Sequence, residues 1–207
     1  MNVLETSEIP FFPGEVLIGW SKISGSYDEK MPFINTELLK TFTNQKRKEE
    51  HITSRVLFAF LAREMGWDTG AVILDKEEQG KPFVRVNGKK SFVSFTHTKE
   101  VVMCAISETL DIGIDAELER RDINPGIIKR ILGEEEWANL EGEDPIKLWT
   151  LKEAAVKSLG TGLRTNLKDL ELNREEQNQF SVSVGNHSLK AMSANVIDHY
   201  ISVAYPA

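Results

Sequence analysis

The same order of predicted elements occurs twice along the chain, and this repetition limits the possible folds. A helix predicted over Asn44–Met65 stops at a glycine and is followed by several strands. A second predicted helix, Pro145–Leu159, also stops at a glycine and is again followed by strands. This plan predicts an α+β protein of two similar α/β halves, residues 1–110 and 111–207, packed about a pseudo-twofold axis. Because ligand sites favour such junctions, we expect the active site between the halves.

The remaining elements follow from local patterns. Residues 1–35 are expected to form short strands and turns, and Asn87-Gly88 is a strong hairpin signal. Two short helices are predicted at 125–132 and 134–140. Strands are predicted at 71–74, 82–86, 91–95, 101–107, 111–118, 167–172, 180–184, 189–193 and 200–204.

The bulk properties exclude several classes of protein. The 207 residues carry 25 basic and 32 acidic side chains, a net charge of −7, which argues against broad nucleic-acid binding. No apolar run approaches the ~20 residues that a membrane-spanning helix needs, so we expect a cytoplasmic protein without membrane contact. The single cysteine, Cys104, lies in an apolar run and is expected to be buried.

The stretch Asp111–Glu119 alternates strictly between apolar and polar positions. Residues two apart on a strand lie roughly 6.5 Å apart and point the same way, so Asp115 and Glu117 can converge on one ion. Crowded carboxylates repel each other unless a cation or a proton intervenes. The alternative is an edge strand with a solvated acidic face.

A second acidic position lies on the predicted helix Pro145–Leu159. Glu153 and Lys157 are four residues apart and therefore point the same way. Taken alone, they are equally compatible with an ordinary surface ion pair. Combined with the acidic strand, they predict an all-oxygen magnesium site beside a lysine, which is typical of phosphoryl-transfer chemistry.

Basic residues that could bind a phosphate-bearing substrate occur in three places. Arg47 and Arg55 are eight residues apart on the first long helix, so they share a face. Lys81 lies in a turn that enters a strand, and His97 stands at the end of another strand. Each could instead be an ordinary solvated or structural side chain.

These motifs occur in a fixed order that resembles the 4′-phosphopantetheinyl transferase superfamily, and specifically its larger, pseudodimeric type, which activates peptide and polyketide synthetases. The family's signature reads approximately G-[IV]-D-x-E, followed downstream by [WF]-[ST]-x-K-E-[AS]-x-x-K. Gly113–Glu117 and Trp149–Lys157 match both parts in full.

The resemblance assigns roles to individual residues. Asp115 and Glu117 would bind magnesium, and Glu153 would be a further ligand or the general base. Lys157 would contact the reacting phosphate, with Lys152 nearby. Coenzyme A would be held by Arg47, Arg55, Lys81, Pro82, Thr96, His97, Lys152 and Lys157. Glu136 falls where the family often has another acid near the metal, and the resemblance does not decide whether Glu117 or Glu136 contacts the ion directly.

The activity implied is transfer of the 4′-phosphopantetheine group of coenzyme A to a serine of an apo acyl or peptidyl carrier protein, with release of 3′,5′-adenosine bisphosphate. A monomer is implied, since the two halves supply the junction that smaller relatives build between chains. The helix at 125–132 offers Lys129 and Arg130 beside apolar groups for carrier docking, or it packs on its own core. Two alternatives remain open: another magnesium-dependent phosphoryl-transfer enzyme, such as a phosphatase or nuclease, and a non-catalytic carrier-binding protein.

Overall fold

The computed structural model describes residues 1–28 and 31–207 and shows a mixed α+β protein built on two antiparallel sheets. The α+β prediction is therefore confirmed. The first sheet has the strand order β1-β2-β6-β5-β4-β3. Its strands are β1 (Asn2–Val3), β2 (Val16–Lys22), β3 (Val72–Lys76), β4 (Pro82–Val86), β5 (Lys89–His97) and β6 (Val101–Ser107).

The second sheet has the strand order β7-β11-β10-β9-β8. Its strands are β7 (Gly113–Leu118), β8 (Glu171–Glu176), β9 (Gln179–Val184), β10 (His187–Val196) and β11 (His199–Pro206). The helices are α1 (Thr36–Thr41), α2 (Gln45–Glu64), α3 (Pro125–Ile131), α4 (Glu134–Asn139) and α5 (Pro145–Leu159). None of the helices in the described part of the chain combines the length and apolar character needed to cross a membrane.

Capping residues mark the ends of the two long helices. The Asn44 side chain accepts a hydrogen bond from the Arg47 amide at the start of α2. At the start of α5, Asp144 accepts from the Ile146 amide at 2.8 Å, and Pro145 occupies the first turn. Gly160 ends α5 with a φ of 70°, a left-handed conformation that glycine adopts without strain.

Each long helix covers one sheet, and the sheets pack on each other. Side chains of α2 such as Phe58 form a core with Val93 and Ile106 of the first sheet. On the other side, α5 packs against the second sheet. Between the sheets lies a shared core that includes Ile18, Met103, Ile114 and Val203. This arrangement places the edge strand β7 beside β5 at the junction of the two sheets.

Most element predictions are confirmed, with two exceptions. The helix α1 was not predicted, because residues 1–35 were expected to form only strands and turns and the next residues carried no prediction. The strand predicted at 167–172 is wrong at its start, since Leu167–Asp169 form a 3₁₀ turn and the strand begins at Glu171. Asn87 and Gly88 both have positive φ and form the predicted hairpin turn.

Candidate active site

The acidic strand and the long C-terminal helix cross at Gly113. An added Cβ at this glycine would clash with the backbone of α5 at the Ala154 carbonyl and the Ser158 amide. The predicted alternation is confirmed, because Ile112, Ile114 and Ala116 belong to the shared core. Gly113 and the residues at alternate positions after it therefore lie on the side of β7 that carries α5.

Asp115 is the centre of a polar cluster at this crossing. Its carboxylate is 7% exposed and accepts hydrogen bonds from Lys157 Nζ at 2.7 Å and Thr96 Oγ1 at 2.9 Å. Lys157 also donates to the main-chain oxygens of Ile114, at 2.9 Å, and Phe95, at 3.3 Å. One ammonium thus joins α5 to both β5 and β7, and it fixes the position of the carboxylate.

Glu153 lies within electrostatic reach of both acids on β7. Burial raises the pKa of the Glu153 carboxyl, and the negative charges of Asp115 and Glu117 raise it further, while Lys157 opposes the shift. Glu117 itself is half-buried and forms an ion pair with Arg121, whose guanidinium lies 5.5 Å from the ring of Trp149. The three predicted acids therefore share one electrostatic environment.

A cavity of about 560 Å³ opens beside this cluster, between α2, the start of β4, the end of β5 and the C-terminal end of α5. The structure brings seven predicted site residues to its wall: Arg47, Arg55, Lys81, Pro82, Thr96, His97 and Lys157. The volume falls in the range of small-molecule sites. Its basic lining suits an anionic ligand.

His51 is a cavity residue that sequence reasoning missed. It lies one turn from both Arg47 and Arg55, so the spacing along α2 could have identified it. Burial, together with the charges of Arg55 and Lys76, lowers the pKa of His51 to about 4. Its Nε2 is buried and has no hydrogen-bond partner among the described residues.

The guanidinium of Arg55 is held against an aromatic ring. It lies 4.7 Å from the centroid of Phe95, a cation–π arrangement that orients the group. Burial lowers the pKa of Arg55, yet an arginine remains charged at neutral pH. His97, in contrast, is largely exposed, with Nε2 3.5 Å from a Glu50 carboxylate oxygen.

Lys152 and Glu136, for which roles at this site were predicted, lie elsewhere in the protein. Lys152 is fully buried, and its Nζ donates to the carbonyl oxygens of Ile131, Leu167 and Leu170 and to the Glu136 carboxylate at distances of 2.6–3.0 Å. Glu136 also accepts from the Leu172 amide, so it belongs to the same network. This placement does not agree with a role for Lys152 in binding coenzyme A or for Glu136 beside the metal; both join α5 to the segments packed on it.

A second cavity, of about 790 Å³, lies next to the helix predicted for carrier docking. Ile128, Lys129, Leu132 and Trp137 line it, and the side chain of Trp137 is 42% exposed. Lys129 and Arg130 are exposed, as carrier docking would require, while Ile131 and Leu132 are buried in the protein's own core. No local pattern of residues predicts the cavity itself.

Comparison with known proteins adds independent information. Residues 111–204 match the family model of the 4′-phosphopantetheinyl transferase superfamily. The chain is 23% identical to a 4′-phosphopantetheinyl transferase of Bacillus subtilis over 78% of this chain and 75% of that protein. It is 30% identical to the 4′-phosphopantetheinyl transferase HetI of a Nostoc species, and 26% identical to the 4′-phosphopantetheinyl transferase Sfp of Bacillus subtilis. The last two matches cover 56% and 60% of this chain and only 53% and 57% of the relatives.

Proposed function

This chain belongs to the 4′-phosphopantetheinyl transferase superfamily of enzymes, and from that premise we propose that it transfers the phosphopantetheine arm of coenzyme A to a serine of an apo acyl or peptidyl carrier protein. The observation that carries the proposal is the ion pair between Asp115 and Lys157, because Lys157 lies on the wall of a basic cavity and holds the Asp115 carboxylate beside it. Carboxylates for a metal and cations for phosphates thereby meet at one place, as the transfer of a phosphate-bearing group requires.

The cavity would hold the nucleotide end of coenzyme A. Arg47, Arg55 and His97 lie on its wall and could bind phosphate oxygens. Arg55 is already oriented by Phe95, so less conformational freedom is lost when it binds an anion. Thr96 donates to Asp115, which favours a role in orienting that carboxylate over direct contact with the nucleotide.

The acidic residues fit magnesium in their chemistry. Asp115, Glu117 and Glu153 offer only oxygen donors. Burial is the main cause of the raised pKa of Glu153, and the charges of Asp115 and Glu117 add a repulsion that a divalent cation would relieve. Among the described residues, however, no group of three potential ligand side chains stands close enough to hold an ion. Since Lys157 and Arg121 are paired with Asp115 and Glu117, we propose that coordination requires these ion pairs to rearrange. Magnesium would supply positive charge to the pyrophosphate of coenzyme A.

Side chains of this protein accept the proton of the carrier serine and neutralise the charge of the transferring phosphate. The carrier serine oxygen bonds to the phosphorus that bears the pantetheine arm, and the bond from that phosphorus to the bridging oxygen breaks. 3′,5′-Adenosine bisphosphate leaves with the electron pair of the broken bond. Glu153 takes the serine proton, directly or through water, as the general base. Lys157 neutralises charge on the transferring phosphate.

We further propose that one chain carries a complete site. The cavity takes Arg55 and Thr96 from residues 1–110 and Lys157 from residues 111–207, so both halves contribute to a single wall. This supports a monomer. That its halves correspond to those two ranges and are related by a pseudo-twofold axis stays a prediction.

The test is incubation of the purified protein with coenzyme A, Mg²⁺ and an apo carrier protein, followed by mass spectrometry of the carrier. We expect the gain of one phosphopantetheine group on the acceptor serine. A carrier with that serine changed to alanine is the matched control and should stay unmodified. Hydrolysis of coenzyme A without modification of any carrier would favour the phosphatase alternative, and no reaction would favour the non-catalytic one.

A further inference from the structure

Lys81 lines the nucleotide cavity, yet its charged end is already engaged. The residue is 9% exposed, and its Nζ donates to the Asp111 carboxylate and to the main-chain oxygen of Ser158. Lys81 belongs to the turn that enters β4, Asp111 precedes β7, and Ser158 lies in the last turn of α5. Three segments that are distant in sequence therefore meet at one ammonium group.

We infer that Lys81 is a positioning residue that clamps the C-terminal end of α5 and thereby fixes Lys157, rather than a direct ligand of coenzyme A. This inference rests on the proposed function for its catalytic consequence, but the clamp itself is a property of the protein without substrate.

Other contacts support the clamp. The Ser158 hydroxyl donates to the main-chain oxygen of Asp111 at 2.8 Å, which is a second link between the same two segments. The aliphatic part of Lys81 packs on Gly160, where an added Cβ would lie 2.8 Å from Lys81 Cδ. The charge is also favourable, because an ammonium at a helix C-terminus binds the carbonyl groups that the last turn leaves unpaired.

The clamp acts on a residue that the chemistry needs. Lys157 directly precedes Ser158, and Gly160 and Gly162 just beyond it form part of the cavity wall. Loss of the ammonium would free the end of α5 and allow Lys157 to shift relative to Asp115. Misplacement of a catalytic group by about 1 Å can cost about 100-fold in rate, so the clamp should affect turnover more than ligand affinity.

Asp111 allows a positioning role of Lys81 to be distinguished from direct binding of phosphate, because Asp111 contacts Lys81 and does not line the cavity. The variants are Lys81→Met and Asp111→Asn. Lys90→Met is the matched control, since Lys90 makes an ion pair with Glu77 outside the cavity. Steady-state kinetics would be measured with coenzyme A and with 3′-dephospho-coenzyme A, at a temperature at which melting curves show every variant folded.

We expect Lys81→Met and Asp111→Asn each to lower kcat about tenfold with both donors, while KM changes less than about threefold and Lys90→Met has no effect. A rise in KM that is confined to Lys81→Met, and larger for coenzyme A than for its dephospho form, would instead make Lys81 a direct phosphate ligand. If Tm is lowered and kcat is unchanged, the contact contributes to stability but not to turnover, and the inference is overturned.

Amide hydrogen exchange without substrate tests the clamp independently of catalysis. Exchange at residues 157–160 should be faster by about tenfold or more in both clamp variants and unchanged along α2. If the wild-type protein modifies no carrier, the proposed function fails while this comparison still decides the clamp. Unchanged exchange at residues 157–160 would overturn the clamp even if the enzyme is active.

Discussion

Gly113 of β7 packs so closely against α5 that an added Cβ would overlap the carbonyl oxygen of Ala154. This contact explains why the two sequence motifs occur together. The glycine lets the helix approach the strand, and the small side chains of Ala154 and Ala155, both buried, let the strand approach the helix. Asp115 then lies within hydrogen-bond distance of Lys157. The geometry of the acids depends on residues that take no part in chemistry.

The first prediction concerns this close approach. Gly113→Ala should lower the free energy of unfolding by about 1–3 kcal/mol, as overpacking typically does, and should lower transferase activity by displacing α5 from β7. Urea denaturation and carrier modification would measure the two effects. Gly14→Ala is the control, because nothing lies within 4 Å of a Cβ added there. A fully active and stable Gly113→Ala variant would contradict the packing argument.

The second prediction concerns the acids. Asp115→Ala and Glu153→Gln should each reduce turnover by at least about 100-fold, the scale seen when catalytic groups are removed. Initial rates of carrier modification at saturating coenzyme A would show the loss. Glu141→Gln, at an exposed position, should behave as wild type. If either active-site variant modifies the carrier at a rate near that of wild type, the role assigned to that residue is wrong.

The amino-acid sequence predicts those elements that depend on local patterns. Strict alternation located β7, and apolar periodicity with a terminal glycine located α2 and α5. The spacing of Arg47 and Arg55 correctly placed both on the side of α2 that lines the cavity. These features depend on the periodicity of one segment, so a single sequence is enough to find them.

The partners of Lys81 and Lys152 could not be predicted in the same way, because they come from distant segments. Nothing near Lys81 in the chain indicates that Asp111 and Ser158 occupy its ammonium. The resemblance assigned Lys152 to the same site as its neighbour Glu153, whereas neighbouring residues on a helix point about 100° apart. That difference in direction takes Lys152 into the core and leaves Glu153 near Asp115.

The third prediction follows from the buried position of Lys152. Lys152→Met should lower the free energy of unfolding by about 3–5 kcal/mol, because the partly enclosed Glu136 carboxylate loses its partner. The KM for coenzyme A should stay unchanged in the folded fraction, since Lys152 does not line the cavity. Lys190→Met, at an exposed position, serves as the control. A stable variant with a raised KM would restore the role in binding coenzyme A.

The fourth prediction concerns the carrier protein, which we expect to be acidic. Changing Lys129 and Arg130 together to Glu should raise the KM for the carrier and leave the KM for coenzyme A unchanged, because both side chains are exposed and neither lines the nucleotide cavity. The matched control is the double change of Lys89 and Lys90 to Glu, on a hairpin of the other sheet. An unchanged KM for the carrier would exclude this helix from the docking surface.

The fifth prediction uses the depressed pKa of His51. Burial and the charges of Arg55 and Lys76 lower this pKa from 6.5 to about 4. Between these values the unfolded chain binds a proton at this position and the folded chain does not. The contribution of His51 to stability is therefore fully present above pH 6.5 and is lost as the pH falls towards 4.

Replacing His51 with Gln removes this titration, so the decrease in Tm between pH 7.5 and pH 5 should be smaller in His51→Gln than in wild type. Thermal melts at the two pH values measure the difference. His187→Gln is the matched control, because His187 is exposed at the start of β10 and lies outside the cavity. The positive charges of Arg55 and Lys76 help to lower the pKa of His51, and a phosphate bound in the cavity would offset them. Bound phosphate should therefore also reduce the pH dependence of Tm in the wild-type protein. Identical pH dependence of Tm in wild type and His51→Gln would show that His51 titrates normally in the folded protein.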